Sequence, residues 1–330
     1  MNRIVRYLSE IVAAALLVLP LGVSANAQSG YPDRPIRMIV PFAPGGATDF
    51  LARIVQPKMQ ELLGQPVVVE NRSGAAGNVG MELAAGSAPD GYVIFMGDVG
   101  TIAINASIFK DMRIEPTRDL TPISIIADTP SLLVTSPGFP PKNIAELVAY
   151  LKERPGRISF ASQGSGSLNR LVMELFAEKA GVKINHVPYK GGSGPAAADV
   201  MGGHIPFMFA TISSTLNHVR SNRMKVLGVT TKERHPALAD VPTLAESGFA
   251  DLVVSSWQGI FVPAATPAPV VEKLHGVMLK VMADDEIKRR IADGGSLAIA
   301  SPSVDDAKKF VAAEAARWSA VAKAVNATAD

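Results

Sequence analysis

The sequence predicts a mixed α/β protein built as two α/β domains, joined by a hinge and enclosing a cleft. Three observations predict it. Short apolar runs alternate with helix-length amphipathic segments from Ile36 onward. The connections between the runs are long enough to return the chain for parallel pairing. Two stretches, residues 117–135 and 236–251, interrupt the alternation, as expected of a chain that leaves one domain, builds a second and comes back. The expected division is 28–128 plus 252–330 for the first domain and 129–251 for the second.

The elements follow in order. Residues 36–40 (IRMIV) read as a strand. A helix over 48–63 places Phe50, Leu51, Ile54, Val55, Met59, Leu62 and Leu63 on one apolar face. Strands over 67–69 and 93–96 bracket a short helix at 79–85. Further strands are expected at 132–135, 158–161, 184–187, 207–209, 226–229 and 252–262. Helices are expected at 144–153, 168–180, 195–201, 269–282, 285–293 and 304–325. Asn143 is a suitable N-cap for the first of these helices. Ser303 caps the last, with Asp305 and Asp306 favourably placed in its first turn.

The first 27 residues read as an export signal. Arg3 and Arg6 precede the apolar run of residues 11–19, Pro20 and Gly22 break it, and Ala25-Asn26-Ala27 is a small-x-small cleavage site. The run is too short to span a bilayer, which takes about 20 apolar residues. Cleavage is expected after Ala27, with Val23-Ser24-Ala25 a weaker alternative. About 303 residues would remain, enough for two domains. Losing Arg3, Arg6 and Glu10 lowers the formal net charge from +2 to +1. Such a balance provides no field for gathering nucleic acid. The chain has no cysteine, which excludes disulfides, thiolate metal sites, cysteine nucleophiles and a lipobox. No second stretch is long and apolar enough to span, so the mature chain is expected not to be membrane-embedded.

The loops between a strand and the following helix are where chemistry is expected, because ligands of open α/β sheets collect at strand carboxyl ends and helix N-termini offer free N–H groups. The first loop holds Phe42, Ala43, Gly45, Gly46, Ala47 and Thr48. Thr48 or Asp49 could cap the helix, and Asp49 reads as a cap or loop brace, since a free carboxylate would repel an anion. The second loop holds Ser73, Gly74, Ala75, Ala76 and Gly77; Ala76 stands at the second glycine of the dinucleotide fingerprint, so that motif is absent. The third, Ser162-Gln163-Gly164-Ser165-Gly166-Ser167, combines three hydroxyls with a helix start, a good carboxylate site. A hydrolase elbow fails there, with Gln163 and Ser167 in the flanking glycine positions. The fourth contains Tyr189, Lys190 and Gly191; Lys190 could pair with an acid and Tyr189 could wall the pocket. The five histidines, His186, His204, His218, His235 and His275, form no metal spacing. No cofactor or metal is expected.

At these loops the chain resembles a known family. Tyr31-Pro32-Asp33-Arg34-Pro35-Ile36 followed by the run from Pro41 to Asp49, then Val69-Glu70-Asn71-Arg72, Ala88-Pro89-Asp90-Gly91-Tyr92 and Asp119-Leu120-Thr121-Pro122, match tripartite tricarboxylate transporter receptors, also called Bug-type solute-binding proteins. Val187-Pro188-Tyr189-Lys190-Gly191, Ala198-Asp199-Val200-Met201-Gly202-Gly203-His204-Ile205 and Val241-Pro242-Thr243-Leu244-Ala245-Glu246-Ser247-Gly248 continue the resemblance in order. It covers essentially all of the mature chain. The resemblance implies a type II periplasmic-binding-protein fold and capture of an organic acid by loop backbones, hydroxyls and ordered waters. It directs attention to residues 42–48, 73–77, 162–167 and 189–191, and to the 97–101 loop. Asp98 departs from the small or neutral residue usual there, and could select a ligand bearing a hydroxyl, amine or amide. The expected protein is therefore a periplasmic, non-enzymatic carboxylate receptor, acting as a monomer and delivering its solute to membrane transporter subunits. Two alternatives stay open: a receptor reporting to a membrane sensor, and a secreted α/β hydrolase using Ser165 and His186.

Overall fold

A ladder of two long antiparallel strands carries the architecture. In the computed structural model, which describes residues 30–189, 192–324 and 327–328, Leu120–Thr135 is one continuous strand, β4. The stretch was expected to be a crossing with a strand only at its end. From Leu120 to Pro130 it pairs with Ser255–Pro263, β9. From Ser131 to Thr135 it pairs instead with strands of a second sheet half. β4 thus belongs to both halves and joins them without a loop. Pro32–Asp330 forms one compact unit; of the residues before it, only 30 and 31 are described. The expected signal peptide lies outside the described residues.

The first half contains β1 (Ile36–Val40), α1 (Ala47–Leu63), β2 (Val67–Asn71), α2 (Asn78–Ala85), β3 (Val93–Asp98) and the short α3 (Asn105–Ile108) and α4 (Pro116–Asp119) before β4. β1 pairs in parallel with β2 and β3, and β9 closes on β3 antiparallel. The second half follows β4 with α5 (Ile144–Lys152), β5 (Ser159–Ser162), α6 (Leu168–Ala180), β6 (Asn185–Pro188), α7 (Ser193–Met201), β7 (Phe207–Thr211), α8 (Ile212–Arg220) and β8 (Lys225–Val229). β5 pairs in parallel with β6 and β7. After β9 the chain adds α9 (Ala268–Ala283), α10 (Asp285–Asp293), the short β10 (Leu297–Ala298) and α11 (Val304–Ala324) to the first half. The strand order is β2-β1-β3-β9-β4-β7-β5-β6. The βα series is parallel, as its crossovers predict, while the strands that link the halves run antiparallel to their neighbours.

Local chemistry explains the element ends. Asn143 caps α5 by accepting from the Glu146 N–H at 2.8 Å, and the Glu146 carboxylate returns to the Lys142 N–H at 2.8 Å. Gly64, in the left-handed region, stops α1. α8 is absent from the expected elements: Ile212-Ser213-Ser214-Thr215 opens it with three poor helix formers, and burial of Leu216 together with Ile212 holds it against the sheet.

Among the described residues the interior holds a larger and a smaller apolar cluster. The larger includes Ile39, Phe95, Phe160, Phe176, Trp257, Phe261 and Trp318, and the smaller Leu132, Val134, Met208, Ala210 and Leu216. Glu314 of α11 ties the terminal helix to β9, its Oε2 accepting from Trp257 Nε1 at 3.0 Å and Trp318 Nε1 at 2.9 Å. Among the described residues, no helix is long and apolar enough to cross a membrane.

Glu314→Ala leaves two indole N–H groups without an acceptor and should cost about 2 to 3 kcal/mol. Glu314→Gln, which keeps a carbonyl acceptor, should lose about 1 kcal/mol or less. Urea unfolding midpoints at unchanged slope check this; equal losses in the two variants would refute it.

Candidate functional site

The candidate site grows from the strand ends of both halves. After β1, the chain turns through Pro41 to Gly46 and enters α1, whose N-cap is Gly46 without a side-chain bond. Neither Thr48 nor Asp49 caps the helix. Asp49 instead accepts from the Gly45 N–H at 3.0 Å and from Asn71 Nδ2 at 2.9 Å, and pairs with Arg53 at 3.0 Å. Burial pushes its carboxyl up, but Arg53, Gly45 and Asn71 outweigh that and hold it below its ordinary value. The carboxylate is a loop brace, so it does not oppose an incoming anion. Phe42 Cβ lies 3.3 Å from where a Cβ on Gly192 would stand, bringing the first loop against the start of α7.

The second loop is held in a rare conformation. Ala75 and Ala76 both have positive φ, 44° and 53°, which costs of order 1 kcal/mol or more per residue. The Ala76 carbonyl accepts from Asn105 Nδ2 at 3.1 Å, and Asn105 Nδ2 also reaches Asn78 Oδ1 at 2.5 Å. This turn presses Ala76 onto the third loop, where a Cβ on Gly164 would stand 3.1 Å from the Ala76 Cβ. The third loop meets the first half again at Gly166: a Cβ there would overlap Asn105 Oδ1. That buried oxygen has no hydrogen-bond partner among the described residues. Asn105 is the lone polar side chain in Ile102-Ala103-Ile104-Asn105-Ala106, a signal of a buried amide that the loop-by-loop reading passed over.

The hydroxyls divide into committed and free. Ser162 Oγ lies 2.6 Å from His186 Nε2 and 3.0 Å from the Gly164 carbonyl. Ser167 Oγ donates to the Gly164 carbonyl at 2.8 Å and accepts from the Arg170 N–H as the cap of α6. Tyr189 donates its hydroxyl to Asp199, and burial with that neighbour raises its pKa to about 12. Asp98 is buried at the end of β3; its Oδ1 accepts from the Thr101 N–H at 2.9 Å and the Thr101 hydroxyl at 2.8 Å. Burial pushes its pKa up. By contrast, the side chains of Thr48, Gln163, Ser165 and Ser193 make no hydrogen bond among the described residues, and Thr48, Gln163 and Ser193 are buried. Ser193 Oγ lies 2.9 Å from the position of a Cβ on Gly46, directly opposite the first loop. Ser73 is exposed, and Ala43, Gly45, Gly46, Ala47, Gly74 and Gly77 offer backbone alone. Lys190 and Gly191 lie outside the described residues.

Among the described residues this arrangement presents donors, and Ser165 has no histidine partner. His186 reaches Ser162 and not Ser165. Burial, with help from the Arg170 charge, lowers its pKa to about 4, too weak a base to activate a serine efficiently near neutrality. Among the described residues no group of three or more His, Asp or Glu could hold a metal ion.

Comparison with known proteins shows the family. The family description "Tripartite tricarboxylate transporter family receptor" matches residues 51–327. Protein BugT of Bordetella pertussis is 35% identical over 325 residues, covering 98% of this chain and 97% of BugT. A Rhodopseudomonas palustris protein solved with adipate superposes with a TM-score of 0.88 at 32% identity, covering 91% of this chain and all of that one. MatC from the same genus and species, solved with bound malate, gives 0.84 at 30% identity, covering 88% of this chain and 99% of MatC. The fold is that of the periplasmic binding proteins, two α/β halves meeting at a cleft. The relatives are solute-binding receptors rather than enzymes.

Two expectations follow. Gly166→Ala drives a methyl into Asn105 Oδ1, so the two halves cannot approach fully; carboxylate affinity should fall by about a hundredfold or more, the size expected when one overpacked contact costs about 3 kcal/mol. Calorimetric titration checks it, and unchanged affinity would refute it. His186 has a folded pKa of about 4 against an ordinary 6.5, so its neutral form is bound preferentially by the native state. Its contribution to stability is therefore complete above about pH 6.5 and is lost as pH falls toward 4. The His186 NMR titration should centre near 4, and His186→Gln should flatten the stability loss over that window.

Proposed function

This chain belongs to the tripartite tricarboxylate transporter receptor family, and we propose that it is a periplasmic receptor that captures a small organic carboxylate between its two halves and delivers it to a membrane transporter. The observation that carries the reading is the convergence of strand-end loops in which Asp49, Ser162, Ser167, Tyr189 and Asp98 are spent on the loops themselves. Thr48, Gln163, Ser165 and Ser193 are left to meet a ligand. A carboxylate offers acceptors only, and neutral donors with bridging water suit it without a dedicated cation.

The relatives solved with adipate and malate hold dicarboxylates, and a dicarboxylate is the first class to test here. The halves, divided near residues 128–131 on β4 and 252–255 before β9, would move as lobes, with the β4–β9 ladder as the hinge. Ligand that touches both halves biases the closed arrangement by its differential contacts. Asp98, whose pKa burial raises, would offer a solute bearing a hydroxyl, amine or amide a partner if its Thr101 bonds exchange.

The purified mature chain should be stabilised by adipate, malate or a close relative. At ligand concentrations of about 100 Kd the stabilisation is about 2.7 kcal/mol, a rise in Tm of several degrees for a chain of this size (about 2 to 4 °C per kcal/mol). A broad panel of mono- and dicarboxylates that leaves Tm unmoved would refute the reading.

A further inference from the structure

The strand starts of the second half collect at one end of that half. β5 runs parallel to β6 and β7, while β4 runs antiparallel to β7 and β8, with Thr135 opposite both Phe207 and Lys225. The end of β4 and the starts of β5, β6, β7 and β8 therefore lie together, and the candidate loop of residues 162–167 follows the other end of β5. Five exposed basic side chains stand in the connections that meet here: Lys142 before α5, Lys152 at its last residue, Arg157 before β5, Lys183 before β6 and Arg223 before β8. None of the five has an acidic partner among the described residues. The turns that carry them are tied to one another. The Gly156 N–H donates to the Lys183 carbonyl at 2.8 Å, and Asn185 Nδ2 donates to the Gly156 carbonyl at 2.7 Å.

The charge at this end is cationic on balance. Lys179 and Asp251 pair and cancel. Arg154, Arg220 and Lys225 bring the remaining basic side chains to eight, against four acidic ones, Glu146, Glu153, Glu178 and Asp199. Two of these acids are engaged, Glu153 with Arg154 at 2.9 Å and Asp199 with the Tyr189 hydroxyl. The excess of positive charge is larger than the +1 of the whole chain after residue 27, so the rest of the molecule is net negative. The far end of the first half, where β1, β3 and β4 start, differs: Arg34 is matched by Asp90 at 3.0 Å and Arg118 by Asp119 at 2.7 Å. Apolar surface is scarce at the basic end. Phe139 is turned inward, 7% exposed, with ring separations of 5.1 Å to Tyr150 and 6.0 Å to Phe207. Large apolar side chains exposed among the described residues, such as Val79 and Leu297, lie outside these connections.

We infer that this end of the second half docks on the surface of an anionic lipid bilayer, with Lys142, Lys152, Arg157, Lys183 and Arg223 against the headgroups. Protein partners grip through a desolvated apolar and aromatic centre, which this end does not offer. A bilayer with negative headgroups asks for charge without such a centre, and each basic side chain within a Debye length of its surface adds to the attraction. The five side chains are spread over four connections, so together they meet a broad face rather than a single anion. The docking is peripheral, since no helix among the described residues is long and apolar enough to cross a membrane. It concerns where the receptor is held rather than what it captures. The candidate loop after β5 lies at the other end of that strand and faces away from the bilayer, so docking needs no carboxylate.

The test is co-sedimentation of the mature chain with vesicles of equal parts phosphatidylglycerol and phosphatidylcholine, against vesicles of phosphatidylcholine alone. The chain should pellet with the first and stay in solution with the second. Raising salt from about 0.01 M to about 1 M, which shortens the Debye length from about 30 Å to about 3 Å, should release it. The triple variant Lys152→Glu/Arg157→Glu/Lys183→Glu should weaken the partition about a hundredfold or more, the size expected when at least three surface charges are lost. Lys280→Glu/Lys288→Glu/Lys309→Glu makes the same change of net charge on exposed positions of α9, α10 and α11 and should lose far less. Equal losses in the two triple variants would overturn the proposal, because net charge and not this face would then be responsible. So would failure to pellet with the anionic vesicles, equal pelleting with both kinds, or pelleting that salt does not reverse. Capture by cell-membrane vesicles but not by protein-free vesicles of matched charge would also overturn it, in favour of an acidic protein face. An unshifted Tm shows that the variants are folded. The assay contains no carboxylate ligand, so its failure is distinguishable from failure of the capture reading.

Discussion

The antiparallel pairing of β4 with β9 is the constraint on which the rest depends. It runs from Leu120 opposite Pro263 to Pro130 opposite Ser255, after which β4 continues alone into the second half. Everything that forms the cleft hangs from this ladder. Its upper end is polar and buried: Thr129 reaches Gln258 and Ser296, each at 3.0 Å, while Gln258 donates to Ser256 at 3.1 Å. Across the change of sheet, Thr230 accepts from the Ser131 N–H at 2.9 Å and donates to the Val254 carbonyl at 2.6 Å. Side-chain hydrogen bonds at this point satisfy backbone groups that a bend between two sheets would otherwise strand. They fix where the two halves separate, and so where strand-end loops face one another.

With the halves placed, the loops solve two problems at once. They must approach closely, and they must not spend all their donors on holding themselves together. Close approach is met by small residues: Ala76 faces Gly164, Asn105 faces Gly166 and Phe42 faces Gly192. Self-support is met by a few polar groups with complete partner sets, such as Asp49 with Gly45, Asn71 and Arg53. The strain at Ala75 and Ala76 is the cost of bringing the second loop against the third, and backbone strain of this kind concentrates at ligand sites. The remaining polar groups are neutral and few, which suits a receptor that must release what it binds.

Much of this architecture was legible in the sequence, and for definite reasons. β1, α6 and α10 begin and end at the expected residues, because apolar periodicity and caps coincide there. The long strand β4 was reduced to its last four residues because Pro122 and Pro130 punctuate it; both survive at irregular or switching points of the ladder. α8 was invisible because its helix-forming signal is weak and its place is set by tertiary packing. The candidate loops were read from glycine, hydroxyl and strand-end position. Which hydroxyls are free was not legible, since Ser162 and Ser165 differ only in whether His186 and Gly164, far or near in sequence, happen to engage them. Asn105 and Ser193 did not stand out as candidates because their positions against the opposite half depend on tertiary contacts.

The most direct measurement is the crystal structure of the mature chain with whichever carboxylate stabilises it most. The carboxylate should lie between the two halves, within hydrogen-bond reach of Gln163, Ser165 or Ser193 and of the backbone N–H groups of the first two loops. A carboxylate bound elsewhere on the molecule, with those side chains turned to bulk water, would contradict it.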